Sequence, residues 1–397
     1  MSIFEKWKQG FHRRKFQDEI GNPPWDYYFL QNLPESEYPK YLAKLFHVNT
    51  GEILPISHGI IDKKKCKTFN QKIQWIKLYG ITPIMRDCTD KVKVRDYVKE
   101  KIGEEYLKPA LQIIPNESHE TMHCHFEQVN DKLGLARQST DKCNQIQDCH
   151  ADIKMSSSAR LRFPKFQFRE NRVLAEYNDG ALVFKDNDNK NYDVSVYFDK
   201  INFDKLPNCF VIKTNHGCKW QYIIKDKNEF LKNKRLFDIV KRNITGWLEQ
   251  DYSFWGGFEM NYRNIEPKIL IEPLIRKKID IPCEGVHVYC FSGIPKLTVK
   301  FHQKNEITFF DENLKNINEK INIKEKKKNI EADDLINQMF DLSKKLSKDF
   351  LFTRVDWMIY QNKIYFEEFT FTPYSGFNKF LNFINNLQQG NLLFMQP

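Results

Sequence analysis

The chain has no run of about 18 apolar residues, so no helix of membrane-spanning length is expected. Its first stretch, MSIFEKWKQGFHRRKFQDEIG, holds no apolar core of signal-peptide length, and an unexported, cytoplasmic protein is the expectation. The nine cysteines are scattered singly. An odd number without a paired framework argues against a disulfide scaffold and fits reduced thiols. No internal repeat is visible. What is present is ample: 397 residues, 41% hydrophobic and 14% aromatic, enough for two or three domains around a substantial core and too apolar for disorder.

The formal net charge is +10. A basic balance admits nucleic acid, an anionic membrane face or acidic substrates. The lysines are dispersed apart from KINIKEKKKNIEADD (320–334), which reads as a solvated loop leading into a helix, with a polyanion or membrane patch as the alternative. No nucleic-acid partner is expected; peripheral association with a membrane stays open.

Residues 1–60 read as an irregular lead with short helices, broken at NPPW and LPESEYPK. From Thr68 a helical period appears: Phe69, Ile73, Trp75 and Ile76 follow a cap at Thr68 or Asn70. CTDKVKVRDYVKEKIGEEYL predicts a second helix with Val92, Val94, Tyr97, Val98 and Ile102 inside and Gly103 at its end. Residues 116–195 are polar, then carry two or three short strands with turns at Asn178-Asp179-Gly180 and DNDN, and are expected to be an insertion. Strand signals resume at CFVIKTNHGCKWQYIIKDK, PKILIEPLI and EGVHVYCFSGIPKLTVKF; EADDLINQMFDLSKKLS is an amphipathic helix. The mixture of helices and antiparallel hairpins predicts an α+β fold.

Chemistry concentrates in LFTRVDWMIYQNKIYFEEFTFTPYSGF (351–377). Arg354 and Asp356 share a face of one strand, and Glu368 and Thr370 share a face of the next, because side chains alternate. Pairing the strands would bring Asp356 and Glu368 together. Two carboxylates so placed repel unless a cation lies between them, and Mg²⁺ with phosphate oxygens suits the gap. Arg354 beside them could hold a phosphate by its planar fork. A solvent-facing polar row on an ordinary hairpin is the competing reading. Lys213 closes a strand before TNHGCKW, an arrangement that can cradle phosphate, although one glycine also fits a plain hairpin.

In order along the chain, KTFNQKIQWIKLYG, DKVKVRDYVKEKIGEEYL, NFDKLPNCFVIKTNHG, PKILIEPLI, SGIPK and RVDWMIYQNKIYFEEFTFTPYSGF resemble the TupA-like family of the ATP-grasp fold, associated with bacterial surface polysaccharides. The resemblance covers roughly residues 60–115 and 196–380. It implies an N-terminal lead (1–60), an ATP-grasp module opening at 61–115, an insertion (116–195), a nucleotide-binding subdomain (196–275) and a metal-binding subdomain (276–397). It further implies that Lys91 and Lys213 bind ATP phosphates, that a loop from Asn215 through His216 to Gly217 closes over them, and that Glu272 with the backbone through Leu274 to Ile275 reads adenine. By the same resemblance Arg354 holds the transferring phosphate, while Asp356, Glu368 and Thr370 hold Mg²⁺.

Three departures stand out. Cys218-Lys219 follows Gly217 where a second small residue is usual, stiffening the loop or adding Lys219 as a phosphate contact. Gly285 and His287 stand where related sequences carry an acidic residue and a lysine, leaving Glu284 for the ribose. The 116–195 block has no counterpart. Its His119, His123, Cys124, His125, Cys143, Cys149 and His150 match no common zinc spacing. A substrate-selecting subdomain, with Arg137, Arg160, Arg162 and Arg169 as anion contacts, is weighed there against an inert decoration. Trp75, Trp247, Trp255 and Trp357 could stack on sugars or fill core. His216 could carry protons or shape its loop. The resemblance implies a carboxylate–amine ligase acting through an acylphosphate on a uronic acid or acidic amino acid of a surface polysaccharide. Alternatives are a sugar kinase and a non-catalytic polysaccharide-binding protein.

Overall fold

The computed structural model describes residues 30–115, 175–178, 181–185, 191–255, 257–276, 283–323 and 325–378. The histidines, cysteines and arginines singled out between 119 and 169 lie outside the described residues. Among those described, no helix is long and apolar enough to cross a membrane.

Helix α1 (Tyr38–Thr50) ends on Gly51 with φ 77°, a left-handed cap that a side chain would resist. It is longer than the broken composition of the lead predicts. Leu42, Leu45 and Phe46 on it build a small core with Phe254 and Phe258. A tight hairpin of β1 (Ile56–Ser57) and β2 (Ile60–Ile61) follows. Helix α2 (Phe69–Tyr79) begins at the predicted Thr68, which forms a reciprocal capping box with Gln71. Its Phe69 ring packs edge-on against Phe291 and Phe352, joining the helix to a sheet.

The helix predicted across residues 88–107 is two helices, α3 (Pro83–Thr89) and α4 (Val94–Ile102). Asp90 makes the difference, because its carboxylate accepts the N–H groups of Val92 at 2.8 Å and Lys93 at 3.4 Å, starting α4 afresh. Val92 therefore leaves the inner stripe, and Lys91 falls in the turn between the helices.

Strand β3 (Gln112–Ile114) precedes an antiparallel meander of β4 (Ala175–Asn178), β5 (Ala181–Lys185) and β6 (Asn191–Asp193), the strands predicted late in the 116–195 block. Next come β7 (Phe210–Thr214), β8 (Gln221–Ile224), helices α5 (Lys227–Lys232), α6 (Lys234–Leu248) and α7 (Tyr252–Trp255), and β9 (Ile269–Pro273). These strands form a four-stranded antiparallel sheet in the order β3-β9-β7-β8. Phe210, Ile212, Ile269 and Ile271 share a core with Val240, Ile244 and Leu248 of α6. Alternation then sends Lys213 and Glu272 to the opposite face.

The second large sheet comprises β10 (Glu284–Phe291), β11 (Ile294–Phe301), β12 (Glu306–Phe310), β13 (Lys326–Lys327), β14 (Phe352–Tyr360) and β15 (Lys363–Thr370), in the order β13-β12-β11-β10-β14-β15. The lysine-rich run is largely exposed coil, as expected, apart from the edge strand β13. Helix α8 (Asp334–Leu346), capped by Asp333, covers the face that carries Val286, Val288, Val355 and Trp357. The indole of Trp357 donates to Ser343 of α8 at 2.8 Å. Gln361 and Asn362 turn β14 into β15 with φ of 48° and 60°, the two-residue turn whose twist matches a hairpin.

Replacing Phe69 with Ala should cost about 3 kcal/mol or more, since it empties an aromatic seam between α2 and the second sheet. Urea unfolding of the two proteins measures this; a loss under about 1 kcal/mol would mean the seam is not packed as described.

Candidate active site between two sheets

Between Asp356 and Trp357 the β14–β15 ladder slips by one residue. Glu367 is the extra residue and turns outward, where its carboxylate meets the Lys108 ammonium at 2.7 Å. Beyond the bulge, Glu368 lies directly opposite Asp356 and Thr370 opposite Arg354. All four side chains share the face away from α8. His287 lies opposite Asp356 on the other side, so His287, Asp356 and Glu368 form one row across three strands.

Arg354 clamps Asp356 with two bonds, Nε to Oδ1 at 2.6 Å and a terminal nitrogen to Oδ2 at 2.5 Å, and also donates to the Thr370 hydroxyl at 3.0 Å. That hydroxyl in turn donates to Asp356 at 3.1 Å. The Arg354 guanidinium sits 5.9 Å from the ring centres of both Tyr289 and Tyr374. Burial pushes the Asp356 carboxyl up while Arg354 pulls it down. Burial also raises Glu368, the negative charge of Asp356 adds to the rise, and Lys91 opposes it. The Glu368 carboxylate makes no hydrogen bond or ion pair with another described residue. Among the described residues no three His, Cys, Asp or Glu side chains make a ready metal cage. Two facing carboxylates, one of them unpartnered, nevertheless fit a Mg²⁺ ion that takes its remaining ligands from phosphate and water.

The first sheet brings basic groups. The Lys213 ammonium binds Glu272 at 2.6 Å, with Lys108 at 3.5 Å and Arg95 at 3.9 Å from the same carboxylate. Burial alone would raise Glu272; Lys108, Lys213 and Arg95 overcome it and hold the carboxyl down at about 2. Burial lowers Lys213, helped by Lys108 and opposed by Glu272. Leu274 and Ile275 continue past β9, with Ile275 buried against Tyr365 of β15. The backbone after Glu272, to which the resemblance gives the adenine contact, therefore runs between the two sheets.

The loop after β7 is built on aromatic packing. A Cβ on Gly217 would come within 2.3 Å of the Trp220 ring, so only glycine fits there. Trp220 stacks on Trp247, centroids 6.1 Å apart, and meets Tyr252 and Trp255 edge-on. Asn215 donates to Glu266 O at 2.8 Å and accepts from Lys268 N at 2.7 Å. His216 Nε2 faces the carbonyls of Trp247 and Gln250 at 3.1 and 3.2 Å. These two side chains shape the loop and do not reach out of it, which sets aside proton carriage by His216. The Lys91 ammonium donates to Gly217 O at 2.5 Å. No hydrogen bond among the described residues takes the backbone N–H groups of His216, Gly217, Cys218 or Lys219. Successive free N–H groups beside a lysine suit an anion. Lys219 has φ 62° and an exposed side chain at the rim.

Glu284 stands apart. It shares the face of Val286 and Val288 toward α8 and lies 3.6 Å from Lys300, on the other side of the sheet from Asp356. The ribose contact expected of it is not part of the cluster. Trp357 is core at 1% exposure, and Trp247 is committed to Trp220 and Tyr222. Sequence reasoning missed Lys108 and Arg95, which carry no local motif. It also missed Glu259 and Lys77, a buried pair behind the site. Lys77 donates to Gln74 and Gly257 O, and Glu259 accepts from Thr372. Burial raises Glu259 and depresses Lys77, each opposed by the other's charge.

A family model described as TupA-like ATPgrasp matches residues 171–393. The matched stretch begins inside the block expected to be an insertion. No curated protein matches the chain. Solved structures with similarity include D-alanine–D-alanine ligase from Bacillus anthracis complexed with ATP, at 16% identity over 49% of this chain and 55% of that one, TM-score 0.26. The same enzyme from Helicobacter pylori shows 15% identity over 52% and 53%, TM-score 0.27. The ATP-grasp ligase PsnB, complexed with a minimal precursor, shows 11% over 46% and 48%, TM-score 0.23. The chain spans about half the length of each.

Burial holds His216 down at about 4, below its ordinary 6.5. As pH falls the unfolded chain takes up the proton first, so stability present above pH 6.5 is lost progressively toward pH 4. His216 should thus account for about 2 kcal/mol of the stability lost between pH 7 and pH 5. His216→Gln should flatten that slope in urea unfolding; an unchanged slope would show that the imidazole is not buried neutral.

Proposed function

Because the chain belongs to the TupA-like ATP-grasp family, we propose that it joins a carboxylate to an amine using ATP. One observation carries the reading: the bulge puts Asp356 and Glu368 face to face beside Arg354, where Glu368 feels the charge of Lys91 at the phosphate-type loop.

The roles follow from chemistry and placement. The free N–H groups after Asn215, together with Lys91 and Lys213, bind the polyphosphate, and the backbone from Glu272 to Ile275 binds adenine. Lys213 reaches phosphate by leaving Glu272, which Lys108 and Arg95 still neutralise. Arg354 turns its fork from Asp356 to the transferring phosphate, kept planar between Tyr289 and Tyr374. Mg²⁺ bound by Asp356 and Glu368, with Thr370 beside them, supplies charge neutralisation to the phosphates. An oxygen of the acceptor carboxylate attacks the γ-phosphorus, and the bond to the ADP oxygen breaks, giving an acylphosphate. The amine nitrogen then attacks the acyl carbon, phosphate leaves with the electron pair of the C–O bond, and the nitrogen loses a proton. Positioning and electrostatics carry the barrier reduction.

For the acceptor we infer a uronic acid or acidic amino acid of a bacterial surface polysaccharide. The family resemblance supports this, and a net charge of +10 suits an anionic acceptor.

The test is ADP formation across a matrix of such acids and amines with magnesium present. A productive pair should yield amide, ADP and phosphate in equal amounts. Asp356→Asn and Glu368→Gln should each lower turnover at least about a hundredfold. Full activity in both variants would remove the ligase reading.

A further inference from the structure

The hairpin β1–β2 presents apolar residues outward where a soluble surface would place polar ones. Its loop is His58-Gly59, with φ of 52° and 78°, so it is as short as a hairpin allows. Ile61 turns inward to 2% exposure, into the core with Leu42, Leu45 and Phe46. Ile60 beside it, on the opposite face, is 56% exposed, and Ile53 just before the hairpin is 77% exposed, while Ile56 pairs with Ile61 and shares its inward face. The unit is firmly tied to the body. Gln71 donates to Ile53 O at 2.9 Å, Asp62 N donates to Pro55 O at 2.8 Å, and Ile61 N donates to the Tyr79 hydroxyl at 3.3 Å.

Lysines follow the isoleucines at once. Lys63, Lys64 and Lys65 occupy a short helical turn capped by Asp62, with Lys67 next, and all four are exposed. Between Gly51 and Lys67 these four lysines face two acids, Glu52 and Asp62. Both acids are engaged, Glu52 by the Thr68 hydroxyl at 2.7 Å and Asp62 by Lys65 at 3.2 Å. The Lys63 ammonium rests 4.8 Å from the Trp75 ring centre.

We propose that this hairpin docks the protein on an anionic lipid bilayer, with Ile53 and Ile60 entering the interface and Lys63 to Lys67 meeting the headgroups. Charge complementarity and size select the occupant. A protein partner or a second copy needs about 800 Å² per side for a stable contact, which two isoleucines beside a two-residue turn cannot supply. A bilayer surface needs only a small apolar insertion plus a few basic residues, and binding by that combination is reversible and salt-sensitive. The inference does not depend on the ligase reading.

The full chain is spun down with vesicles of phosphatidylcholine alone and of phosphatidylcholine mixed with phosphatidylglycerol. Binding to the mixed vesicles, weakened by salt, is expected. Ile53→Ser with Ile60→Ser should weaken it about tenfold or more, and Lys64→Glu with Lys67→Glu should do the same. All four side chains are exposed, so urea unfolding should be unchanged, and each pair serves as a second route if the other misfolds. No binding to the mixed vesicles overturns the proposal. So does binding that survives both pairs yet is lost when Lys326, Lys327 and Lys328 are reversed in charge, which would place the contact on the lysine-rich run.

Discussion

One extra residue in one strand organises the centre of this protein. Ile364, Phe366, Phe369 and Phe371 are all buried in the same core, although their spacing steps by two, three and two. A regular strand alternates and cannot put Phe366 and Phe369 on one face. The backbone therefore takes a bulge at Glu367, and the core pays for the broken ladder with its aromatic packing. Without the bulge, Glu368 would oppose Val355 and point into the apolar layer under α8. With it, Glu368 opposes Asp356. The hydrophobic pattern thereby fixes the geometry of the charged site.

That site is electrostatically provisional. Arg354 and Asp356 neutralise each other, and so do Lys213 and Glu272. Each pair joins a group suited to hold phosphate with a carboxylate, so an arriving anion competes with an internal one. The two pairs differ in what remains behind. When Lys213 leaves, Lys108 and Arg95 still hold Glu272 ionised. When Arg354 leaves, Asp356 keeps the Thr370 hydroxyl, has the His287 imidazole 3.9 Å away and faces the raised carboxyl of Glu368, a combination that favours uptake of a cation. On the proposed ligase reading, release of the arginine and loading of a metal would therefore be favourable together, and each alone would leave a buried charge uncompensated.

Much of this was legible in the sequence. The cap at Thr68, the hairpin of the two strands within 351–371, helix α8 and the alternation that pairs Arg354 with Asp356 all follow from local rules. The turn that Asp90 makes before α4 was not, because an aspartate in a helical run is silent until its side chain is seen to accept the following N–H groups. The bulge was signalled by the three-residue step from Phe366 to Phe369, which a strict period of two conceals. Lys108 and Arg95 could not be read, since their importance arises from Glu272 and Glu367, more than a hundred residues away. Glu284 was misplaced for a related reason: its strand position settles its face only once the register with β14 is known.

The loop from Thr214 to Trp220 shows how a single glycine can serve where a glycine-rich run is usual. At Gly217 a side chain has no room, because that is where the Trp220 ring approaches the backbone. Asn215 and His216 spend their side chains inside the loop, so their identity fixes its shape and leaves the main chain to face outward. The free N–H groups then follow one another from His216 to Lys219 without any side chain competing for them. Cys218 and Lys219 follow where a second small residue is usual, and Lys219 takes up a left-handed conformation, φ 62°, that glycine would adopt more readily. On the proposed ligase reading, rigidity here would serve binding, since preorganised donors lose little freedom when an anion arrives.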